Sequence, residues 1–232
     1  MGIGSLTLID STVSGNSAAQ GGGGGIYSLG LPNGAADVVV RNSTISGNGA
    51  LAGGAIYNAG TSLTIVDSTL AENSAGNGSA IFQEILSPSI LIERSIIDGS
   101  CGWSNDVLSS SGGWNLEGPG DTCGLALESD QVAVSDLGIG TLANNGGPTW
   151  THALLSGSPA IDAAGVGCSA TDQRGFSRPQ DGDFDGAAVC DAGAFEGLGQ
   201  GINVEVPSLG AFGLSLLVVL LALTGLDLIR RV

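Results

Sequence analysis

The sequence predicts an all-β solenoid followed by one membrane-spanning helix. Three observations carry that expectation. Runs with the same order of residue types recur through the first hundred residues at intervals mostly in the twenties, the spacing of a coil that winds once around an axis. Glycine makes up 41 of 232 residues and lies between short β-branched runs, and no stretch of strong helix formers occurs before residue 207. The chain ends in an apolar stretch closed by two arginines. Four segments follow: coils over 1–100, an irregular disulfide-bridged continuation that caps the solenoid over 101–198, a linker with a short motif over 199–208, and the tail helix over 209–232.

The coils come first. LTLIDSTVSGNSA begins at Leu6, VVVRNSTISGNGA at Val38, LTIVDSTLAENSA at Leu63 and a weaker ILIERSIIDGS at Ile90. Aligning Ser11, Ser43, Ser68 and Ser95 gives spacings of 32, 25 and 27, and the long interval carries an insertion around Pro32 that reads as a surface loop. The alignment stacks Leu6, Val38, Leu63 and Ile90 in one column, Leu8, Val40, Ile65 and Ile92 in a second, and Val13, Ile45, Leu70 and Ile97 in a third. These positions alternate with polar ones over most of each run, as a half-buried strand requires. After a Gly-rich turn a second strand places Ile26, Ile56 and Ile81 on one face and Tyr27, Tyr57 and Phe82 on the other. Each covered aliphatic contributes about 1.5–3 kcal/mol. No coil covers its own faces, so at least three are needed. Asn16, Asn48 and Asn73 share one register, where asparagine tolerates left-handed backbone angles and can hydrogen-bond to the next coil. Asn42 and Asn77 open formal N-x-[ST] sequons, which the turn chemistry of asparagine already explains.

The SGNSA…GGGIY coil resembles the parallel β-helix repeats of polymorphic outer-membrane proteins and related bacterial surface proteins. That resemblance implies a right-handed parallel β-helix; the repeats themselves indicate only a stacked solenoid.

Charge and cysteine content narrow the function classes. The net charge is −16 and every basic side chain is arginine, so the surface repels nucleic acid and suits divalent cations. Cys101, Cys123, Cys168 and Cys190 form no CxxC pair, and His152 is the single histidine, which argues against zinc and for disulfides in an oxidising compartment. Three pairings are open, and the sequence-local one is favoured: Cys101–Cys123 with Cys168–Cys190, each contributing about 3 kcal/mol by chain entropy.

Beyond Cys101 the repeat loses regularity. NGGPT, HALL, GSPAIDA, DQRG, DGD and CDAGAFE follow one another, and over residues 60–196 the chain resembles the choice-of-anchor Q domain, a bacterial surface module. The resemblance implies location and architecture. It implies little chemistry.

Asp181, Asp183 and Asp185 form D-x-D-x-D-G with Gly186, the first half of a calcium loop. A full EF-hand loop ends in a glutamate at its twelfth position, which here is Ala192. Calcium is therefore expected, if bound, in a different geometry that uses Asp191, with Asp172 or Glu196 as further ligands; a solvated acidic turn is the plain alternative. His152 is read as structural, and Arg174 and Arg178 as partners of nearby aspartates. The glycines at 21–25 precede a strand rather than a helix, so they make no phosphate cradle.

The tail opens at Val206-Pro207-Ser208-Leu209 and carries no charge from Leu209 to Leu226. A span over 209–229, about 21 residues at 1.5 Å each, reaches roughly 31 Å, the thickness of a bilayer core. Arg230 and Arg231 place that end on the cytoplasmic side. VPSLGAFG before the span resembles the IPTL-type sorting signal read by exosortases: Pro207, Leu209 and Gly213 match, while Val206, Ser208 and Phe212 stand for isoleucine, threonine and tryptophan. The resemblance implies an exosortase-type partner that cleaves near Pro207.

No basic or apolar leader precedes the first coil, so a longer parent chain is expected, with the first coil exposing an edge unless a coil upstream covers it. The leading functional expectation is an exported structural or adhesive protein anchored at the bacterial cell surface, facing a glycan or protein ligand, without an enzymatic site. A calcium-dependent carbohydrate-binding module comes second. A polysaccharide lyase or glycoside hydrolase comes third, because its only warrant is the fold and Arg41 and Arg94 have no acidic cluster beside them in sequence.

Overall fold

A computed structural model describes residues 4–30, 36–60, 62–84, 89–104 and 110–197. The tail span, both terminal arginines and the sorting motif lie outside the described residues. Contacts divide the chain into two units, Met1–Gly199 and Gln200–Val232, with no division near residue 100.

The described chain is all-β, with seventeen strands and no helix among the described residues. Successive coils contribute β1 (Gly4–Ile9), β2 (Thr12–Ser14), β3 (Ser17–Gly22) and β4 (Ile26–Leu29); then β5 (Ala36–Arg41), β6 (Thr44–Ser46), β7 (Gly49–Ala52) and β8 (Ile56–Ala59); then β9 (Ser62–Val66), β10 (Thr69–Ala71), β11 (Ser74–Asn77) and β12 (Ile81–Gln83). The fourth coil has β13 (Ser89–Glu93), β14 (Ile96–Asp98) and β15 (Cys101–Trp103), and the fifth has β16 (Ser110–Gly113) and β17 (Leu116–Gly118). Like strands pair in parallel, giving four stacked sheets: β1-β5-β9-β13-β16, β2-β6-β10-β14-β17, β3-β7-β11 and β4-β8-β12-β15. Parallel strands in stacked sheets are what a parallel β-helix requires.

The columns read from the sequence are the columns of the fold. Leu6 pairs with Val38, Val38 with Leu63 and Leu63 with Ile90; Val13 pairs with Ile45, Ile45 with Leu70 and Leu70 with Ile97. Val40, Ile45, Ile56, Leu63, Ile65, Leu70, Ile81 and Ile92 are fully buried in one core. Tyr27, Tyr57 and Phe82 stack on the outer side, with ring centroids 5.0 and 5.1 Å apart.

The strand count per coil corrects the expectation. The first run is two strands, because the backbone turns through a left-handed residue at Asp10, Asn42, Asp67 and Arg94, with φ between 47 and 49°. A second left-handed corner falls at Gly15, Gly47, Glu72 and Gly99, and a third at Gly23, Gly53 and Gly78. The asparagines at 16, 48 and 73 are therefore not the left-handed residues; the residue before each one is. Glycine is also demanded by proximity: a Cβ on Gly24 would come within 2.5 Å of the Gly54 carbonyl in the next coil.

Two ladders run through the coils. Backbone N–H groups of Ser11, Ser43 and Ser68 donate to the hydroxyl oxygens of Ser43, Ser68 and Ser95 at 3.1–3.2 Å, and each of those hydroxyls donates to the carbonyl two residues earlier. The serine ladder continues through Asn115 to Asp130. The asparagine ladder runs beside it from Asn16 to Asn73. Ladder side chains thus accept from the neighbouring coil and donate to the carbonyl two residues earlier in their own, as Ser43, Ser68 and Asn73 do.

The segment after β17 does more than cap the end. It adds one incomplete rung, with Leu116 bridged to Gln131, and then lies along the outer face of the β2-β6-β10-β14-β17 sheet. The outward column of that sheet receives it at every coil. Thr12 donates to the Trp150 carbonyl at 2.6 Å, Thr44 to Gln173 Oε1 at 2.6 Å, and Thr69 accepts from the Ala194 N–H at 3.0 Å. Ile96 and Leu116 join Leu137, Ala160, Ala164, Cys190 and Ala192 in a second apolar cluster. Disulfides join Cys101 to Cys123, inside the solenoid core, and Cys168 to Cys190, in the arm.

Candidate metal centre and its cleft

Residues 160–197 are held by a buried ionic network. Arg174 pairs with Asp172 at 2.6 Å, and its guanidinium lies 3.5 Å from the centre of the Phe195 ring. Arg178 donates to the carbonyls of Asp191 and Gly193 and lies 3.5 Å from Glu196. The expected aspartate partner therefore holds for Arg174; the carboxylate beside Arg178 is a glutamate.

Asp191 and Glu196 are both buried in this network. Asp191 accepts from the N–H groups of Asp162 and Gly197, and Glu196 from those of Gln180 and Asp191. Burial pushes the Asp191 carboxyl up to about 6, and burial with the neighbouring Asp191 charge pushes Glu196 up to about 7.

The D-x-D-x-D-G turn sits above that network. Asp181, Asp183 and Asp185 each accept a backbone N–H from within the turn: Asp181 from Gly186, Asp183 from Asp185, and Asp185 from Ala187. Of the four residues the sequence nominated for calcium, Asp181 and Asp183 come together, and Asp162 joins them. One carboxylate oxygen from each lies within 4.8 Å of the others. Oxygens that ligate calcium at 2.3–2.6 Å stand at most about 5 Å apart, so the trio has the span of a calcium shell. Asp185 and Asp191 are not part of it. Asp191 supports the cluster from beneath, fixing the Asp162 backbone at 2.7 Å.

Asp162 holds the turn directly: its carboxylate accepts the N–H groups of Gly182 and Asp183 at 3.0–3.4 Å. Its pKa is raised by burial, opposed by those N–H groups and reinforced by the Asp183 charge. Among the described residues no arginine pairs with Asp162, Asp181 or Asp183. Asp181 Oδ1 is shielded from solvent and accepts no hydrogen bond. An acceptor with that environment is under-satisfied, and a cation would satisfy it. Asp162 lies in the GSPAIDA segment, which carries no metal-ligand spacing of its own. Its position becomes legible only through the Cys168–Cys190 bridge, which ties the segment after it to the segment after the turn.

Asp162 also lines a cleft of about 590 Å³ whose walls include Trp114, Val166, Arg178 and both cysteines of the bridge. Trp114 is 40% exposed, in a left-handed backbone conformation at φ 63°, with Gly165 pressed against its ring so closely that a Cβ there would meet the indole at 2.5 Å. The cleft thus sets a half-exposed indole beside carboxylate oxygens, an apolar face next to hydrogen-bond acceptors.

The other polar residues singled out by sequence lie away from the trio. His152 is buried; Nδ1–H donates to the Gly140 carbonyl at 2.7 Å, and in the neutral ring Nε2 accepts the Ser46 hydroxyl at 2.8 Å. Arg94 does have acidic partners, Asp67 at 2.7 Å and the adjacent Glu93, contrary to the expectation from sequence. Asn42 is buried and donates to Asp10 and to the Thr171 carbonyl, which closes its sequon; Asn77 remains exposed. No family model matches the chain, and neither a curated protein nor a solved structure does.

Proposed function

We propose that this chain is an exported structural or adhesive protein of the bacterial cell surface, built on a right-handed parallel β-helix and anchored at least transiently by a helix over 209–229. The carrying observation is that all four cysteines are bridged, Cys101 to Cys123 and Cys168 to Cys190, which suits a compartment that keeps disulfides oxidised. The ladders make a stiff scaffold whose outer faces offer flat strands and loops to a glycan or protein ligand. The motif Val206-Pro207-Ser208-Leu209 with Phe212, Gly213, Arg230 and Arg231 is read as the signal for an exosortase-type enzyme. No catalytic role and no nucleic-acid partner are proposed. Protease shaving of intact native cells tests the reading. The β domain should be degraded from outside, and the mature chain should end near residue 206. A protein protected in the cytoplasm, with its tail intact, would overturn it.

A calcium-dependent carbohydrate-binding site is the second reading, favoured by the convergence of Asp162, Asp181 and Asp183 at the rim of the Trp114 cleft. Calorimetry of the full chain with calcium, before and after chelator, followed by a glycan array, tests it. Absence of heat at millimolar calcium would end the metal part. Calcium-independent glycan binding would keep the cleft without the ion.

A further inference from the structure

The cleft beside the trio has a chemical character of its own. Its walls are mostly hydrocarbon, with Trp114, Val166, Pro179, Val189 and the Cys168–Cys190 bridge among them. At about 590 Å³ it has the size of a small-molecule site, and such sites are apolar with a few placed polar groups. Two of its side chains are charged, Asp162 and Arg178.

Arg178 is committed inside the protein. Its side chain has no exposure, its terminal nitrogens donate to the carbonyls of Asp191 and Gly193, and Glu196 lies 3.5 Å from Nε. Asp162 is the opposite case. Its carboxylate accepts the N–H groups of Gly182 and Asp183, and no arginine among the described residues pairs with it. Backbone groups thus occupy its oxygens while its charge is left uncompensated. The surroundings deepen that imbalance. Residues 160–197 carry seven carboxylates against two arginines, and Asp181 and Asp183 each bring a carboxylate oxygen within 4.8 Å of one on Asp162.

The walls are also fixed in advance. Trp114 and Asp162 both have left-handed backbone angles, φ 63° and 53°, which a residue other than glycine holds only where its surroundings enforce them. Gly165 is pressed against the indole, yet Trp114 keeps 40% of its surface open, and Val166 at the rim is 89% exposed. A cleft of this kind binds without first ordering its own side chains.

The ligand that matches has an apolar body and a positive charge that requires few hydrogen bonds. An anion would meet an uncompensated carboxylate. A primary ammonium would give up strongly held water to apolar walls. A quaternary ammonium spreads its charge over methyl groups, donates no hydrogen bond through nitrogen and is attracted to the face of an indole. We propose that this cleft binds small organic cations of the aryl- or alkyl-trimethylammonium class, with the charged head towards Asp162 and the Trp114 ring. The site needs no calcium, and its ligand is not the one that the glycan reading assigns, so either reading can fail alone.

Calorimetry on the full chain in non-ionic detergent tests it, with chelator present and detergent alone as the blank. Three probes share a benzyl group and differ in charge. Benzyltrimethylammonium should bind saturably, and benzyl alcohol and phenylacetate at least about tenfold more weakly. Val166→Lys, an exchange at an exposed rim position, should weaken benzyltrimethylammonium at least about threefold, and Val166→Glu should tighten it, both with unchanged circular-dichroism spectra. Trp114→Ala should weaken it by about three- to thirtyfold, whereas Trp150→Ala, which removes an exposed tryptophan outside the cleft, should leave it unchanged. Lack of saturable binding up to about 10 mM overturns the proposal. So does equal uptake of the three probes, or an affinity indifferent to the Val166 and Trp114 variants.

Discussion

Asn73 Oδ1 accepts two hydrogen bonds from Asn48 in the coil above, one from the backbone N–H and one from Nδ2, each at 3.0 Å. Asn73 in turn donates through Nδ2 to the carbonyls of Ile45 and Ala71. One side chain therefore satisfies groups in two coils, and both asparagines are buried. Asn73→Ala leaves those donors and acceptors unpaired and should cost about 2–4 kcal/mol in urea unfolding. Asn16→Ala, at the solvent-exposed top of the same ladder, should cost less than about 1 kcal/mol. Equal losses at the two positions would mean that the ladder does not depend on burial.

The same contrast holds for the apolar columns. Leu63 is fully buried and Leu6 is 42% exposed, although they occupy one register. Leu63→Ala should destabilise by about 2–5 kcal/mol, and Leu6→Ala by about 1 kcal/mol or less. Ile45→Asp buries an unpaired carboxylate at a position with no exposure and should abolish the cooperative transition. Thermal melts of the three variants check this. A parental melting temperature for Ile45→Asp would be incompatible with the stacked core.

Stability should rise as pH falls from about 7.5 towards 5. The folded-state pKa values of Asp191 and Glu196, about 6 and about 7, lie above the ordinary carboxyl range, so the folded state holds protons that the unfolded state releases. Between the ordinary carboxyl pKa near 4 and those raised values, each rise in pH therefore favours unfolding. Glu196→Gln should flatten the upper part of that profile. An unchanged slope in the variant would assign the pH dependence to other groups.

Calcium at millimolar concentration should raise the melting temperature, by linkage to the folded state. Asp162→Asn should remove that rise. Asp185→Asn should preserve it, since Asp185 accepts the Ala187 N–H within the turn and stands outside the trio. The reverse pattern would return the site to the D-x-D-x-D-G motif alone.

Sequence reading succeeded where the fold repeats itself. Val13, Ile45, Leu70 and Ile97 align because parallel stacking puts like residues at one height, which leaves a period in the text. The four-strand coil was not legible, because its first corner is carried by Asp10, Asn42, Asp67 and Arg94, with no glycine to mark a left-handed bend. The arm was not legible either. Its contacts, such as Thr44 with Gln173 and Thr69 with Ala194, join residues more than a hundred positions apart and repeat at no interval. Asp162 was missed for the same reason. Its partners in the trio lie about twenty residues on, in the D-x-D-x-D-G turn, too far along the chain for a local pattern to include Asp162.

The hydrogen bond between Thr44 and Gln173 spans 129 residues. At a synthesis rate of 5–20 residues per second, Thr44 is joined to the growing chain roughly 6–26 s before Gln173 is. The inner rungs join residues about 25 apart and can close within seconds of their own synthesis. Coils that wind before the arm is made carry a bare threonine column until Trp150, Gln173 and Ala194 have been added to the chain.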